Sequence, residues 1–169
     1  SKTSGGFLDM HSAVLHPKKL CVGLAAAVRA QGTVIIENSP VLSYTPGQVQ
    51  TQQHTYKAKV VLRTTEAFSS SFSQAQRSVI PLYSMMVATE PLSTDIWSEI
   101  GLDSRPSFND GRNMVIYGQR TADNRLAFGG RGAPYHFGSK ILPSYDFNQM
   151  VAQGLRSTLI ELFPVLERT

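Results

Sequence analysis

The sequence predicts an α+β fold, a mixed and largely antiparallel sheet with helices packed on one face. Three observations lead there. Residues 17–31 place Leu20, Leu24, Ala27 and Val28 at helical spacing and run into TVIIE, a β-branched run. Beyond them, short apolar runs alternate with the turn-forming clusters Asn109-Asp110-Gly111 and Ala122-Asp123-Asn124, the pattern of an antiparallel meander. Near the end a single apolar stripe returns to helical spacing.

Each element has its own signals. Pro17 suits a first helical position, where its missing N–H costs nothing, and Gly32 supplies the stop. Residues 33–37 read as a buried strand, 41–45 as a strand closed by the turn Pro46-Gly47, and 48–56 as a polar, weakly alternating strand. KVVLRT at 59–64 is another apolar strand. Residues 65–78 are Ser-rich and loop-like, the best internal boundary. Residues 79–89 predict a long strand with Pro81 at an edge or bulge, because proline cannot donate to a ladder. Ser93-Thr94-Asp95 caps a short helix at 96–100, stopped by Gly101. Strands follow at 106–108, 114–119 and 125–129. Asp146 can then cap a helix whose stripe holds Phe147, Met150, Val151, Gly154, Leu155, Thr158, Leu159, Leu162 and Phe163, with Pro164 ending it.

A chain of 169 residues fits one domain, and 41% hydrophobic against 17% charged residues excludes disorder. No run reaches the roughly 18 apolar residues of a membrane span, and no secretory leader is evident. A single cysteine, Cys21, allows no internal disulfide, which makes the cytoplasm the expected compartment. The net charge of +4 comes from scattered basic residues, not the clustered stripe that nucleic-acid binding wants. It suits an anionic small molecule equally.

Residue patterns for chemistry are sparse. There is no G-x-G-x-x-G turn to carry a dinucleotide pyrophosphate, no Walker loop and no G-x-S-x-G elbow. His11, His16, His54 and His136 are too dispersed in sequence to predict a metal site. The run Gly129-Gly130-Arg131-Gly132 does invite a ligand. Glycines there permit close approach, and Arg131 is a natural carboxylate clamp. Strand alternation places Arg131 with Ala127 and Gly129, and Tyr117 with Gln119; Arg120 falls on the opposite face. The alternative for both arginines is a solvent-exposed residue beside a tight turn.

Three stretches, in order, carry a resemblance: HPKKL running into GLAAAVRAQGTVIIENSPV, then KAKVVLRTTEAF, then RSVIPLYSMMVATEPLS joined to RNMVIYGQRTADNRLAFGGRG. Together they resemble the middle of FAD-dependent oxidoreductases of the D-amino-acid oxidase superfamily, in its glycine, sarcosine and γ-glutamylputrescine oxidase branch. The resemblance implies that residues 17–67 are a piece of the FAD domain and 68–169 the substrate-binding sheet and helix. The 169 residues would be one excised domain of a longer enzyme. It implies FAD as cofactor, with Val41 beside its adenine end and Thr64, Thr65, Glu66 and Ala67 close to the dinucleotide. Arg63-Thr64 stands where the family usually has Ala-Thr, and Glu66 where Gly or Asn is common. The sheet carrying Tyr117 and the glycine-rich turn would cover the flavin ring and hold an amine or amino-acid substrate, with Tyr117, Arg120 and Arg131 as its contacts. The implied activity is hydride transfer from the C–H bond beside an amine nitrogen, followed by imine hydrolysis. The implied partners are that substrate and the FAD-binding segments of the same polypeptide, with no nucleic acid and no membrane; the 169 residues alone would neither hold FAD tightly nor turn over. Two rivals are a non-catalytic small-molecule-binding domain and an interaction module offering the Pro81 strand as a free edge.

Overall fold

The computed structural model describes residues 5–169. Its helices and two small antiparallel sheets make it α+β. Instead of one mixed sheet there are two three-stranded sheets, each wholly antiparallel among the described residues. They belong to two compact units. One comprises Leu15–Pro81 with His136–Ile141; the other comprises Leu82–Tyr135 and Leu142–Thr169 with the leading segment to Val14. The Ser-rich stretch thus lies inside the first unit, and the division falls after Pro81.

In the first unit, helix α1 spans Pro17–Ala30, with Pro17 opening it and His16 Nδ1 accepting from the Lys19 N–H at 3.4 Å. Gly32, at φ +87°, turns the chain out of the helix. The expected stripe is present but uncovered, with Leu20, Leu24 and Val28 exposed and no other helix or strand packed on them among the described residues. β1 (Val41–Thr45), β2 (Gln48–Thr51) and β3 (Thr55–Lys57) form a meander. Gly47 at φ +83° makes the first turn. The expected single strand at 48–56 is broken because Thr51 Oγ1 accepts from the N–H groups of Gln53 and His54, folding the chain back on itself.

Two predicted strands, 33–37 and 59–64, form no regular structure and stay unpaired among the described residues, with Val34, Ile36, Val60 and Leu62 exposed. An apolar run becomes a strand only where another strand offers its backbone, and none does so among the described residues. The Ser-rich stretch is more ordered than a loop. It winds into two 3-10 turns, Glu66–Ser71 and Ser73–Ala75, and buries Ser69, Phe72 and Ala75.

The second unit holds the larger core. β4 (Met85–Ala88), β5 (Ile116–Arg120) and β6 (Leu126–Gly130) form a sheet in the order β4-β6-β5. The predicted long strand at 79–89 is reduced to β4, which begins four residues after Pro81. The segment at 106–108 contributes a single bridge, Phe108 to Gly118. α2 (Thr94–Ile100) starts on Ser93, whose Oγ accepts from the Ile96 N–H, and ends on left-handed Gly101, as its sequence signals predict. α3 (Gln149–Leu162) is capped by Asn148, whose Oδ1 accepts from the Val151 N–H at 3.1 Å. The expected cap, Asp146, instead closes a 3-10 turn at Pro143–Tyr145, so Phe147 and Met150 fall outside the buried stripe.

Register explains the core. Pairs Ile116↔Gly130, Gly118↔Phe128 and Arg120↔Leu126 share one face. On it Leu126 and Phe128 are fully buried, and Leu155 of α3 packs against Gly130. Trp97, Leu159, Val165 and Leu166 complete this core. Phe108 lies over Gly118, stacks on Phe128 and meets Phe163 edge-on, filling the space a glycine leaves in the sheet. Asn124, at φ +63° in the β5–β6 turn, is the polar hub. Its carbonyl accepts from Trp97 Nε1, and its Oδ1 from both Arg105 and Arg120.

Candidate substrate face and cofactor-side residues

The second unit's sheet is covered on one face and open on the other. The open face carries Tyr117 and Gln119 from β5, Ala127 and Gly129 from β6, and Met86 from β4. Small residues on the central strand let the Tyr117 ring lie flat across it, since a Cβ on Gly129 would sit only 2.6 Å from that ring. The phenol reaches past β6 to Ser84, 2.7 Å away, and Ser84 Oγ also donates to the Gly130 carbonyl. An exposed Met86 flanks this pair. The result is an aromatic plate with a hydroxyl pair at its edge, able to exchange hydrogen bonds with a small polar ligand while excluding water from its apolar part.

The three residues expected to meet the substrate are not brought together. Tyr117 lies on the open face. Arg120 lies on the covered face, 4.4 Å above the Trp97 ring, with two bonds to Asn124 and a long 4.0 Å approach to Asp103. Its side chain is 15% exposed, and its donors are directed to the hairpin turn. The alternative of a solvent-exposed arginine does not describe Arg120 either, since its side chain is largely buried over Trp97. Arg131 follows the end of β6, donates its backbone N–H to the Val115 carbonyl at 3.0 Å, and lines a cleft against α3 together with Ile116 and Leu155. Ser84, absent from the sequence reading, is the residue that reasoning missed; its only signal was its position just before the β4 run.

In the first unit, Val41 opens β1 and is partly exposed. Tyr44, three residues on, ties β1 to the later segment. Its hydroxyl accepts from Arg63 at 3.1 Å, its carbonyl accepts from Gln74, and its ring meets Phe72 edge-on. This brings β1 and the 63–74 segment into one cluster. Thr64 is exposed, and Thr65 Oγ1 is bonded to Ser69 Oγ at 2.9 Å. Glu66 adopts φ +46° and folds its carboxylate onto the Ala67 N–H. Gly130-Arg131-Gly132 is followed by no helix in which backbone N–H groups could converge. The described residues therefore do not by themselves fit a dinucleotide pyrophosphate.

Among the described residues no three His, Cys, Asp or Glu side chains are grouped to hold a metal, and no helix is long and apolar enough to cross a membrane. Cys21 is exposed. Three carboxylates of the second unit are held below their ordinary range, the exposed Asp9 first by the His11 backbone N–H. Asp110 is lowered first by its hydrogen bond from Arg112, and Asp123 first by Thr121 and then by Arg125.

With this geometry in place, comparison with known proteins gives the class. The family model of FAD dependent oxidoreductases (DAO) matches residues 1–169, and the chain belongs to that family. Among curated proteins it is similar to the "Probable oxidoreductase OrdL" of Haemophilus influenzae, with 30% identity over 96% of this chain and 37% of the relative. It is also similar to the "Gamma-glutamylputrescine oxidoreductase" of Escherichia coli, with 31% identity over 75% of this chain and 31% of the relative. The chain thus spans about a third of the length of these relatives. No solved structure gives a significant match.

Proposed function

We propose that this chain is the substrate-facing portion of an FAD-dependent oxidoreductase that oxidises the C–N bond of an amine or amino acid. The observation that carries the reading is the open sheet face, where Tyr117 lies flat over Gly129 with its hydroxyl against Ser84. The name of one relative, a γ-glutamylputrescine oxidoreductase, supports an amine as substrate. FAD would supply the hydride acceptor, and the protein's part is to bind and orient the amine. On this chain, Tyr117 would cover one side of the substrate. Its hydroxyl oxygen, or that of Ser84, would accept from an ammonium. An uncharged amine is the form that yields hydride, so a plate with no carboxylate on it suits loss of the ammonium proton.

The cofactor-side residues remain part of the same proposal. Val41 and the Thr64–Ala67 turn would approach FAD once further segments of the polypeptide supply the glycine-rich turn, and Glu66 would have to release Ala67. The unpaired runs at 33–37 and 59–64 support such partner segments, since both leave apolar side chains in solvent. On this reading the 169 residues alone hold FAD weakly and do not turn over, and the protein works in the cytoplasm.

The test uses the complete protein. Anaerobic mixing with a panel of primary amines, secondary amines and amino acids should bleach the flavin bands for at least one of them and release the amine or ammonia left by imine hydrolysis. A colourless protein that takes up no added FAD, or a flavin that no amine or amino acid reduces, would overturn the reading. The first of those results would favour the non-catalytic binding domain.

A further inference from the structure

A cleft of about 390 Å³ lies on the helix face of the second unit's sheet, within the roughly 300–1,000 Å³ of small-molecule sites. Its floor is apolar, formed by Ile116 of β5 with Val151 and Leu155 of α3, and the exposed Met114 and Met150 form its rims. Two arginines line it. Arg112 is already answered by Asp110, with Glu161 adding to the same field. Arg131 has no ion pair among the described residues, so it brings the uncompensated positive charge to the cleft lining.

Two further features leave room for a ligand beside it. Gly154 lines the cleft from α3, and a Cβ added there meets nothing within 4 Å. The first turn of α3 contains no acidic residue, so the positive end of the helix is not neutralised by its own side chains. The chemistry narrows the class. A guanidinium excludes cations and pairs with the two oxygens of a carboxylate. An apolar floor disfavours strongly hydrated polyanions such as phosphates, whose desolvation it cannot offset.

We propose that this cleft is a second binding site, for a small monocarboxylate with a hydrocarbon body, its carboxylate on Arg131 and its chain against Ile116, Val151 and Leu155. Gly130 faces α3 while Gly129 faces Tyr117, so the cleft lies on the opposite side of the sheet from the amine plate. The proposal does not depend on the amine reading.

Titration calorimetry of the complete protein with sodium octanoate, up to about 10 mM, reaches the millimolar affinities of weak sites. Octanoate should bind, and octanamide, which lacks the charge, should bind at least about tenfold more weakly, the lower end for a charge-assisted hydrogen bond. Arg131→Gln should lower octanoate affinity to that of the amide. Gly154→Leu, which fills the cleft with a good helix former, should abolish binding of both while circular dichroism shows the helix retained. No octanoate binding, equal affinity for octanamide, or an affinity that either substitution leaves intact would each overturn the proposal. Arg131 is exposed, so the glutamine variant folds irrespective of how α3 accepts leucine.

Discussion

Replacing Gly129 with alanine should destabilise the protein through one named contact, the Tyr117 ring. The added Cβ would stand 2.6 Å from Tyr117 Cε2, 2.7 Å from Cζ and 2.8 Å from the hydroxyl oxygen, all closer than real Cβ contacts come. Something must shift, and the ring is the freer partner because it borders the open face. Its displacement breaks the 2.7 Å bond to Ser84. Overpacking costs roughly 1–3 kcal/mol, and the lost hydrogen bond about 1 kcal/mol. Against these, alanine stiffens the unfolded chain by roughly 0.4–1 kcal/mol. The net expectation is a loss of about 2 kcal/mol, a fall in Tm of roughly 4–8 °C for a chain this size. Urea denaturation of four proteins would check it: the parent, Gly129→Ala, Tyr117→Ala and the double variant. Without the ring the glycine substitution should cost nothing or stabilise slightly, giving a coupling of about 2 kcal/mol. A Gly129→Ala penalty that persists undiminished in the Tyr117→Ala background would refute the contact as its cause.

Other expectations follow from the same geometry. Arg120→Ala should lower stability by about 1–3 kcal/mol, through the lost Trp97 contact and the loss of two of the three hydrogen bonds to Asn124 Oδ1, while leaving ligand affinities unchanged; unchanged melting with weakened substrate binding would return Arg120 to the binding site. Asn148→Ala should cost about 1 kcal/mol as the true cap of α3, and Asp146→Ala markedly less; the reverse order in thermal denaturation would refute the assignment. Asp110 is held low by Arg112, so its contribution is full above the ordinary value of 3.8 and disappears as pH falls through its depressed folded value. The parent should therefore lose stability more steeply than Asp110→Asn as pH falls below about 4, and parallel curves in pH-dependent denaturation would show that the pair contributes nothing.

The elements most legible in the sequence were those with local causes. Pro17 and Gly32 bracket α1, Ser93 and Gly101 bracket α2, and the Asp123-Asn124 turn joins β5 to β6, because each of these signals acts on its own backbone within a few residues. Elements that need a distant partner were less so. The runs at 33–37 and 59–64 have β-branched side chains suited to a sheet, yet pairing depends on a neighbouring strand that no local pattern guarantees. Asp146 and Asn148 are both good caps two residues apart, and the 3-10 turn that engages Asp146 decided between them.

The candidate site divided along the same line. Alternation placed Tyr117 and Arg120 on opposite faces, as found, because both lie inside β5. Arg131 lies one residue beyond β6, where nothing in the sequence marked the strand's end. Nor could alternation reveal that Trp97, more than twenty residues earlier, would lie under the Arg120 guanidinium. The cofactor-side residues were reached only by family resemblance, and their present bonds are made within the turn itself.

The central claim, that the Tyr117 face receives an amine beside the flavin, is most directly tested by steady-state kinetics of Tyr117→Phe in the complete protein. Phenylalanine keeps the plate and removes only the hydroxyl. The account predicts a fall in kcat/KM for the amine substrate of roughly 3- to 10-fold, the scale of one hydrogen bond, with FAD content unchanged. Parental kcat/KM in that variant and in Ser84→Ala alike would contradict it.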